Sequence, residues 1–189
     1  MKEFNDIAIV AAWETILESL GIDHKNDPNF TDTPKRVMRM YHEIFEGLLD
    51  NNLKDLENHL TKTFPCSYDQ MIVEKGIETW GMCPHHFLPV KYEVDIGYMP
   101  NEDVLGLSKL PRVILALSKR PVLQEQLTDD IVDYLVRVLN PKGVIVKVKG
   151  QHLCMVMRGV KSNNAIAYTS AITGVFKTAP ALKEEFMLL

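Results

Sequence analysis

Val90-Lys-Tyr-Glu-Val-Asp-Ile-Gly-Tyr98 decides the fold. Its apolar side chains, Val90, Tyr92, Val94, Ile96 and Tyr98, occupy every second position, the period of a β-strand with one face in a core. Just upstream, Met71, Val73, Gly76, Ile77 and Trp80 form a second β-like run that ends at Gly81. The two runs read as paired strands joined by the short Cys83–Pro89 segment. Met99-Pro-Asn101 then breaks the sheet pattern.

Two helices follow. Ser108 stands at a capping position, Pro111 lies early, and Val113, Ile114, Leu115 and Leu117 form the body of the first. Lys119-Arg-Pro121 ends it, because the residue before a proline avoids helical geometry. The second helix is predicted over residues 122–139, with Leu123, Leu127, Ile131, Leu135 and Val138 at steps of four, four, four and three. Asn140-Pro-Lys-Gly143 is a turn signal. Strand character returns in residues 144–157, where Val144, Val146, Val148, His152, Cys154 and Val156 share a face and Arg158 follows. A last strand over residues 165–176 precedes a short C-terminal helix.

Upstream of the sheet lie two more helices. Ile7, Ile9, Val10, Trp13, Ile16, Leu17 and Leu20 recur at helical spacing up to Gly21. Thr33 is then the expected N-cap of a second helix with Pro34 at its first position and Val37, Tyr41, Ile44, Phe45 and Leu48 as its apolar stripe. The whole reads as an α+β chain: a helical region over 1–60, then a ββααββ domain over 61–189 with an antiparallel sheet and a helix pair.

Composition narrows the function classes. With 46% apolar and 24% charged residues in 189, the chain can bury a core. A net charge of −4 argues against a general nucleic-acid binder. No run of about 18 apolar residues suggests a membrane span, and the N-terminus does not read as a signal peptide. Three cysteines, Cys66, Cys83 and Cys154, do not make a disulfide framework, so a cytoplasmic location with free thiols is expected.

Against that background Cys83-Pro-His-His86 and His152-Leu-Cys154 stand out as polar, reactive groups inside apolar, strand-like sequence. Thiolate and imidazole are the donors Zn²⁺ prefers, and three of them leave one tetrahedral position open, the pattern of a catalytic site. Two surplus imidazoles titrate near neutrality and suit proton transfer. Spacing alone leaves open whether His85 or His86 is the ligand. Gln124-Glu125 can read a guanidine-like edge or form an ordinary exposed helical turn. Lys109, Arg112 and Arg158, with Arg36 and Arg39, can neutralise a polyanion, although each taken singly reads as a surface residue.

These segments together resemble GTP cyclohydrolase I. The likeness runs through Thr33-Pro-Lys-Arg36, Cys83-Pro-His-His86, Gly106-Leu-Ser-Lys109 with Arg112, Arg120-Pro-Val-Leu-Gln-Glu-Gln-Leu-Thr128, His152-Leu-Cys-Met-Val-Met-Arg-Gly159 and Gly174-Val-Phe176. It covers the chain from about residue 28 onward, in order and in register. The resemblance implies the tunnelling fold and a homo-oligomer, typically a decamer, with active sites where subunits meet. It implies Zn²⁺ held by Cys83, His86 and Cys154, with His85, His152 and Ser108 catalytic. Gln124 and Glu125 would hold the guanine edge, and Lys109, Arg112, Arg158, Arg36 and Arg39 the triphosphate. The implied enzyme is cytoplasmic and allosteric. It hydrolyses GTP to 7,8-dihydroneopterin triphosphate and formate at the head of tetrahydrofolate and pterin biosynthesis. Three departures stand beside the match: Pro84 where the family usually has Glu, Gln126 where Arg is common, and Ala165-Ile-Ala-Tyr-Thr-Ser170 in place of a threonine-rich stretch. They motivate one alternative, a paralogous zinc hydrolase for a different purine nucleotide.

Overall fold

The computed structural model describes residues 3–49 and 62–189. The alternating stretch is the central strand β3 (Pro89–Met99), which pairs antiparallel with β2 (Ile72–Met82) on one side and β5 (Gly143–His152) on the other. A shorter strand β6 (Ala167–Ile172) extends the sheet beyond β5, giving the order β2-β3-β5-β6 with every neighbour antiparallel. Two three-residue strands, β1 (Thr63–Pro65) and β4 (Asp103–Leu105), make a separate small ladder. Their brevity left no periodicity to read.

Alternation along β3 buries Val90, Tyr92, Val94, Ile96 and Tyr98 against Val144, Val146 and Val148 of β5 and the two central helices. These helices are α3 (Lys109–Ser118), with Leu110, Val113, Ile114 and Leu117 inward, and α4 (Gln124–Leu139), with Leu127, Ile131 and Leu135 inward. Each such side chain contributes about 1.5–3 kcal/mol relative to exposure. The other sheet face is charged along β3 and β5, where Glu93 opposes Lys149 and receives its ammonium at 3.1 Å. It is covered at one end, where Met71, Met99, Ile145, Phe176 and Phe186 cluster. β2 carries a bulge after Glu74, and the Gly76 N–H there donates to Asp95 Oδ1 at 2.9 Å.

The helices α1 (Asp6–Ser19) and α2 (Thr33–Ile44) precede the sheet. Asp32, rather than Thr33, takes the N-cap position of α2, with Pro34 in its first turn and no side-chain capping bond. The apolar stripe of α1 is fully buried only at Leu17 and partly covered at Ile9, Val10 and Trp13, while Ile7 and the C-cap Leu20 are 85% and 69% exposed in the single chain. The expected boundary near residue 60 lies outside the described residues. After β5 the chain differs from the expected long strands. β5 stops at His152, and Cys154 sits in the one-turn helix α5 (Leu153–Val156), closed by Met157 N–H to the Leu153 carbonyl at 3.0 Å. The reason is register: His152 pairs with Val90, near the start of β3, so residue 153 onward has no strand to pair with. The last strand likewise ends at Ile172, and Val175–Thr178 forms the helical turn α6 before α7 (Pro180–Leu188).

Candidate metal centre and active site

The Cys83-Pro-His-His86 turn connects β2 to β3 and is closed at its base. Cys83 N–H donates to the Leu88 carbonyl and Phe87 N–H to the Cys83 carbonyl, each at 2.9 Å. A further bond, from Val122 N–H to the Met82 carbonyl at 3.2 Å, ties this end of β2 to the segment entering α4. Cys83 is buried, whereas His85 and His86 are exposed. Pro84 is half-buried in the turn.

The register that ends β5 at His152 also delivers Cys154 to this turn. Cys83 Sγ, His86 and Cys154 Sγ offer ligand atoms that all lie within 4.8 Å of one another. His85 Nδ1 is 3.9 Å from Cys83 Sγ but falls outside that group. The donor types suit Zn²⁺, and the 3.8 Å between Cys83 Sγ and His86 Nδ1 is close to a tetrahedral edge. That edge is about 3.5 Å for zinc–sulfur and zinc–nitrogen bonds of about 2.3 and 2.0 Å. Burial pushes the Cys154 thiol above its ordinary pKa, the neighbouring Cys83 sulfur adds to the rise, and Arg158 opposes it. A cation bound between the two sulfurs would favour the Cys154 thiolate that burial disfavours, so the pair fits a metal chemically.

Beside the three donors, His152 is held in one tautomer. The Gln124 side chain is 3% exposed, and its Nε2 donates to the Val148 carbonyl (3.2 Å), the Ala167 carbonyl (3.1 Å) and Thr169 Oγ1 (3.2 Å). Carbonyls only accept, so the amide orientation is fixed and Oε1 faces His152 Nε2 at 2.9 Å. His152 Nε2 therefore carries the proton and Nδ1 is the basic nitrogen. Burial lowers the His152 pKa below its ordinary value, with the Glu125 carboxylate pulling the other way. Thr128 Oγ1 donates to the Gln124 carbonyl and also meets Thr169 Oγ1, both at 2.7 Å, locking the start of α4 to β6.

Some of this machinery was missed by the sequence reading. A Cβ at Gly150 would stand 2.2 Å from Gln124 Oε1, so the glycine makes the room in which the amide reaches His152. A glycine inside a strand signals such a close approach. Tyr92, read as core, sets its ring edge-on to His152 at 6.2 Å. Its buried hydroxyl has no hydrogen-bond partner among the described residues. Burial, and then the nearby Cys83, Glu125 and Cys154, raise its pKa and keep it a neutral phenol. Thr128 and Thr169 carried no sequence signal.

The remaining expected residues are less tightly assembled. Ser108 is the exposed N-cap position of α3 and makes no capping bond. Lys109 is half-buried, Arg112 exposed one turn further on, and Glu125 exposed in the first turn of α4. Arg158 is exposed yet near enough to act on the Cys154 thiol. Arg36 and Arg39 lie exposed on α2, Arg36 within 3.8 Å of Asp32. The departing residue Gln126 bonds Asp130 on its own helix at 2.8 Å.

Three soft donors that leave a tetrahedral position open, beside an imidazole locked in one tautomer, define a candidate metal-dependent enzyme centre on an antiparallel α+β frame. Comparison with known proteins specifies it. The family model for GTP cyclohydrolase I matches residues 9–189. GTP cyclohydrolase 1 of Carboxydothermus hydrogenoformans is 42% identical over 189 residues, covering 100% of this chain and 94% of that protein. The Desulforamulus reducens protein of the same name is 44% identical over 96% of this chain and 95% of its own length. The one from Bacillus subtilis is 40% identical over 99% and 96%. The chain belongs to the GTP cyclohydrolase I family, a family of enzymes. Its antiparallel sheet and helix pair fit a tunnelling-type fold. Among solved structures, the archaeosine synthase QueF-Like in its apo form aligns with a TM-score of 0.47 and 21% identity. That alignment covers 57% of this chain and 97% of the other, a likeness too slight to inform function.

Proposed function

We propose that the chain is a zinc-dependent GTP cyclohydrolase I, converting GTP to 7,8-dihydroneopterin triphosphate and formate. The observation that carries this reading is the convergence of Cys83, His86 and Cys154 to within 4.8 Å beside an imidazole whose tautomer is fixed by Gln124. Cys83, His86 and Cys154 would hold Zn²⁺, which when bound supplies Lewis acidity and lowers the pKa of a coordinated water.

The chain's own residues do the rest. His152, with Nδ1 as its basic nitrogen, takes up and returns the proton delivered to purine N7 as the imidazole ring of the base opens. His85, next to His86 in the same turn and with its Nδ1 3.9 Å from Cys83 Sγ, serves the second proton transfer. Gln124 borders the guanine end and positions His152 with its spent amide, while the exposed Glu125 carboxylate accepts from the guanine N–H groups. Ser108 relays a proton near the ribose. Lys109, Arg112 and Arg158 bind the triphosphate, joined by Arg36 and Arg39 of a neighbouring subunit, in a homo-oligomer that we take to be a decamer. The exposed part of the α1 apolar stripe, at Ile7, Ile16 and Leu20, supports such assembly. A cytoplasmic enzyme feeding tetrahydrofolate or pterin synthesis follows from the same reading.

The test is incubation of zinc-loaded protein with GTP, followed by assay for formate and, after oxidation, a fluorescent pterin. Equal amounts of both support the proposal. Absence of both at every metal loading and pH tried defeats it, and faster turnover of another purine nucleotide replaces GTP with that substrate.

A further inference from the structure

Phe87, the residue after His86, has a backbone φ of 51°, in the left-handed region. Among the described residues, Asn140 and Lys161 share that property without being glycine. Asn140 is the C-cap of α4, where this conformation is expected, and Lys161 is exposed in a turn two residues after Gly159. A bulky aromatic residue there is a strained outlier, which persists only where its surroundings enforce it. Core packing does not enforce it, because the residue is 56% exposed.

One contact does fit that role. The Phe87 ring stands edge-on to Phe45, with centroids 5.8 Å apart at 70°. Phe45 is 5% exposed and touches Tyr41 at 5.0 Å, and Tyr41 meets Trp13 of α1 at 6.4 Å. Phe45 is itself fixed from behind. The next residue, Glu46, receives Lys119 Nζ at 2.5 Å, and Gly47 N–H donates to the Lys119 carbonyl at 2.9 Å. A Cβ on Gly47 would press on the Ala116 and Lys119 carbonyls at 2.7 and 2.8 Å. The end of α2 is therefore seated hard on the end of α3, and Phe45 is a rigid platform.

We infer that Phe87 is a positioning residue for the metal centre: its ring, seated on Phe45, holds the 83–88 turn in its strained form and so fixes His86 relative to Cys83 and Cys154. The N-terminal helical unit is then part of the metal site through an aromatic chain, Trp13–Tyr41–Phe45–Phe87, although none of its residues is a ligand. This inference rests on the zinc reading above and adds a residue that touches neither metal nor substrate.

The experiment uses the full-length zinc-loaded protein and measures zinc transfer to a chromogenic chelator. In parallel, the visible spectrum of the cobalt-substituted protein reports ligand geometry. Phe87→Ala should release zinc faster by about tenfold or more, the range for residues that orient metal ligands, with an altered cobalt spectrum and unchanged far-UV circular dichroism. Phe87→Trp should restore the parent behaviour. Phe87→Gly separates strain from anchorage, since glycine adopts the backbone conformation freely but has no ring; it should lose zinc like Phe87→Ala. Phe45→Leu, remote in sequence from the ligands and similar in bulk, should move zinc release in the same direction and serves if Phe87→Ala does not fold. Parent-like release and cobalt spectra in Phe87→Gly or in folded Phe45→Leu overturn the inference, as does a lowered melting temperature with unchanged release. Failure of the parent protein to bind zinc at all would instead defeat the zinc reading.

Discussion

At the metal end of the site, Cys83 and Gln124 are 5% and 3% exposed, and Gln124, His152, Thr128 and Thr169 are bonded to one another within a single chain. At the expected phosphate end, Arg36, Arg39, Arg112 and Arg158 are all exposed, and among the described residues the ion pair that these four make is the loose Arg36–Asp32 contact. The difference follows from desolvation. A buried amide without partners destabilises the fold, so the chain itself supplies acceptors for Gln124 Nε2 and a donor, His152 Nε2, for its Oε1. A hydrated guanidinium carries no such penalty and can wait for an anion or a neighbouring subunit to complete its surroundings. The hydrogen bonding around Gln124 and His152 is thus pre-formed within one chain, while the exposed cations are left open.

The contrast can be broken most sharply at the ligands. Cys154→Ala should strip zinc and lower turnover by well over the roughly 100-fold seen when only outer-shell groups are changed; metal analysis beside the formate assay checks it. His152→Ala should keep zinc and lose about 10²–10⁴ in kcat, and retention of near-parent turnover would remove His152 from the proton path. At the open end, Arg112→Ala should act mainly on KM, raising it about tenfold, as expected for a charge-assisted hydrogen bond. Because that end is hydrated, the parent's KM should also climb with ionic strength more steeply than the variant's.

The smallest effect lies outside both regions. The Glu74 carboxyl is pushed above its ordinary pKa by burial, and its Oε2 is buried with no hydrogen-bond partner among the described residues. The native state there binds a proton more tightly than the unfolded chain, so stability falls as pH rises from 4.5 through the raised value. Glu74→Gln should therefore raise Tm by about 1 °C at pH 7, with the gain vanishing below the ordinary carboxylate range. Thermal melts at pH 7 and pH 4 give the comparison.

Period-two patterning over 90–98 made the sheet legible in the sequence, and helical spacing made the helix pair legible. The paired Cys and His segments gave the donor set up to the choice between His85 and His86, which came from the family resemblance. What stayed hidden depends on long-range register. The helical turn at Cys154 arises because β3 starts at Pro89, a boundary that the alternation of residues 144–157 does not contain. The expected face-sharing of His152 and Cys154 along one strand is replaced by a strand end followed by a turn of helix, which still brings the sulfur to Cys83. Leu123, counted in the stripe of α4, is instead its half-exposed N-cap, because the helix begins one residue later. Thr169, 45 residues from Gln124, becomes its partner only once β6 is laid beside β5.

Gly150 and Gln124 can change only as a unit. A Cβ at position 150 would stand 2.2 Å from the Gln124 amide oxygen, so a substitution there must displace the amide that bonds His152. Shortening residue 124 relieves that contact but withdraws the same oxygen from His152, so either change alone loosens the imidazole. Residues 124 and 150 should therefore be varied together in any library built on this scaffold.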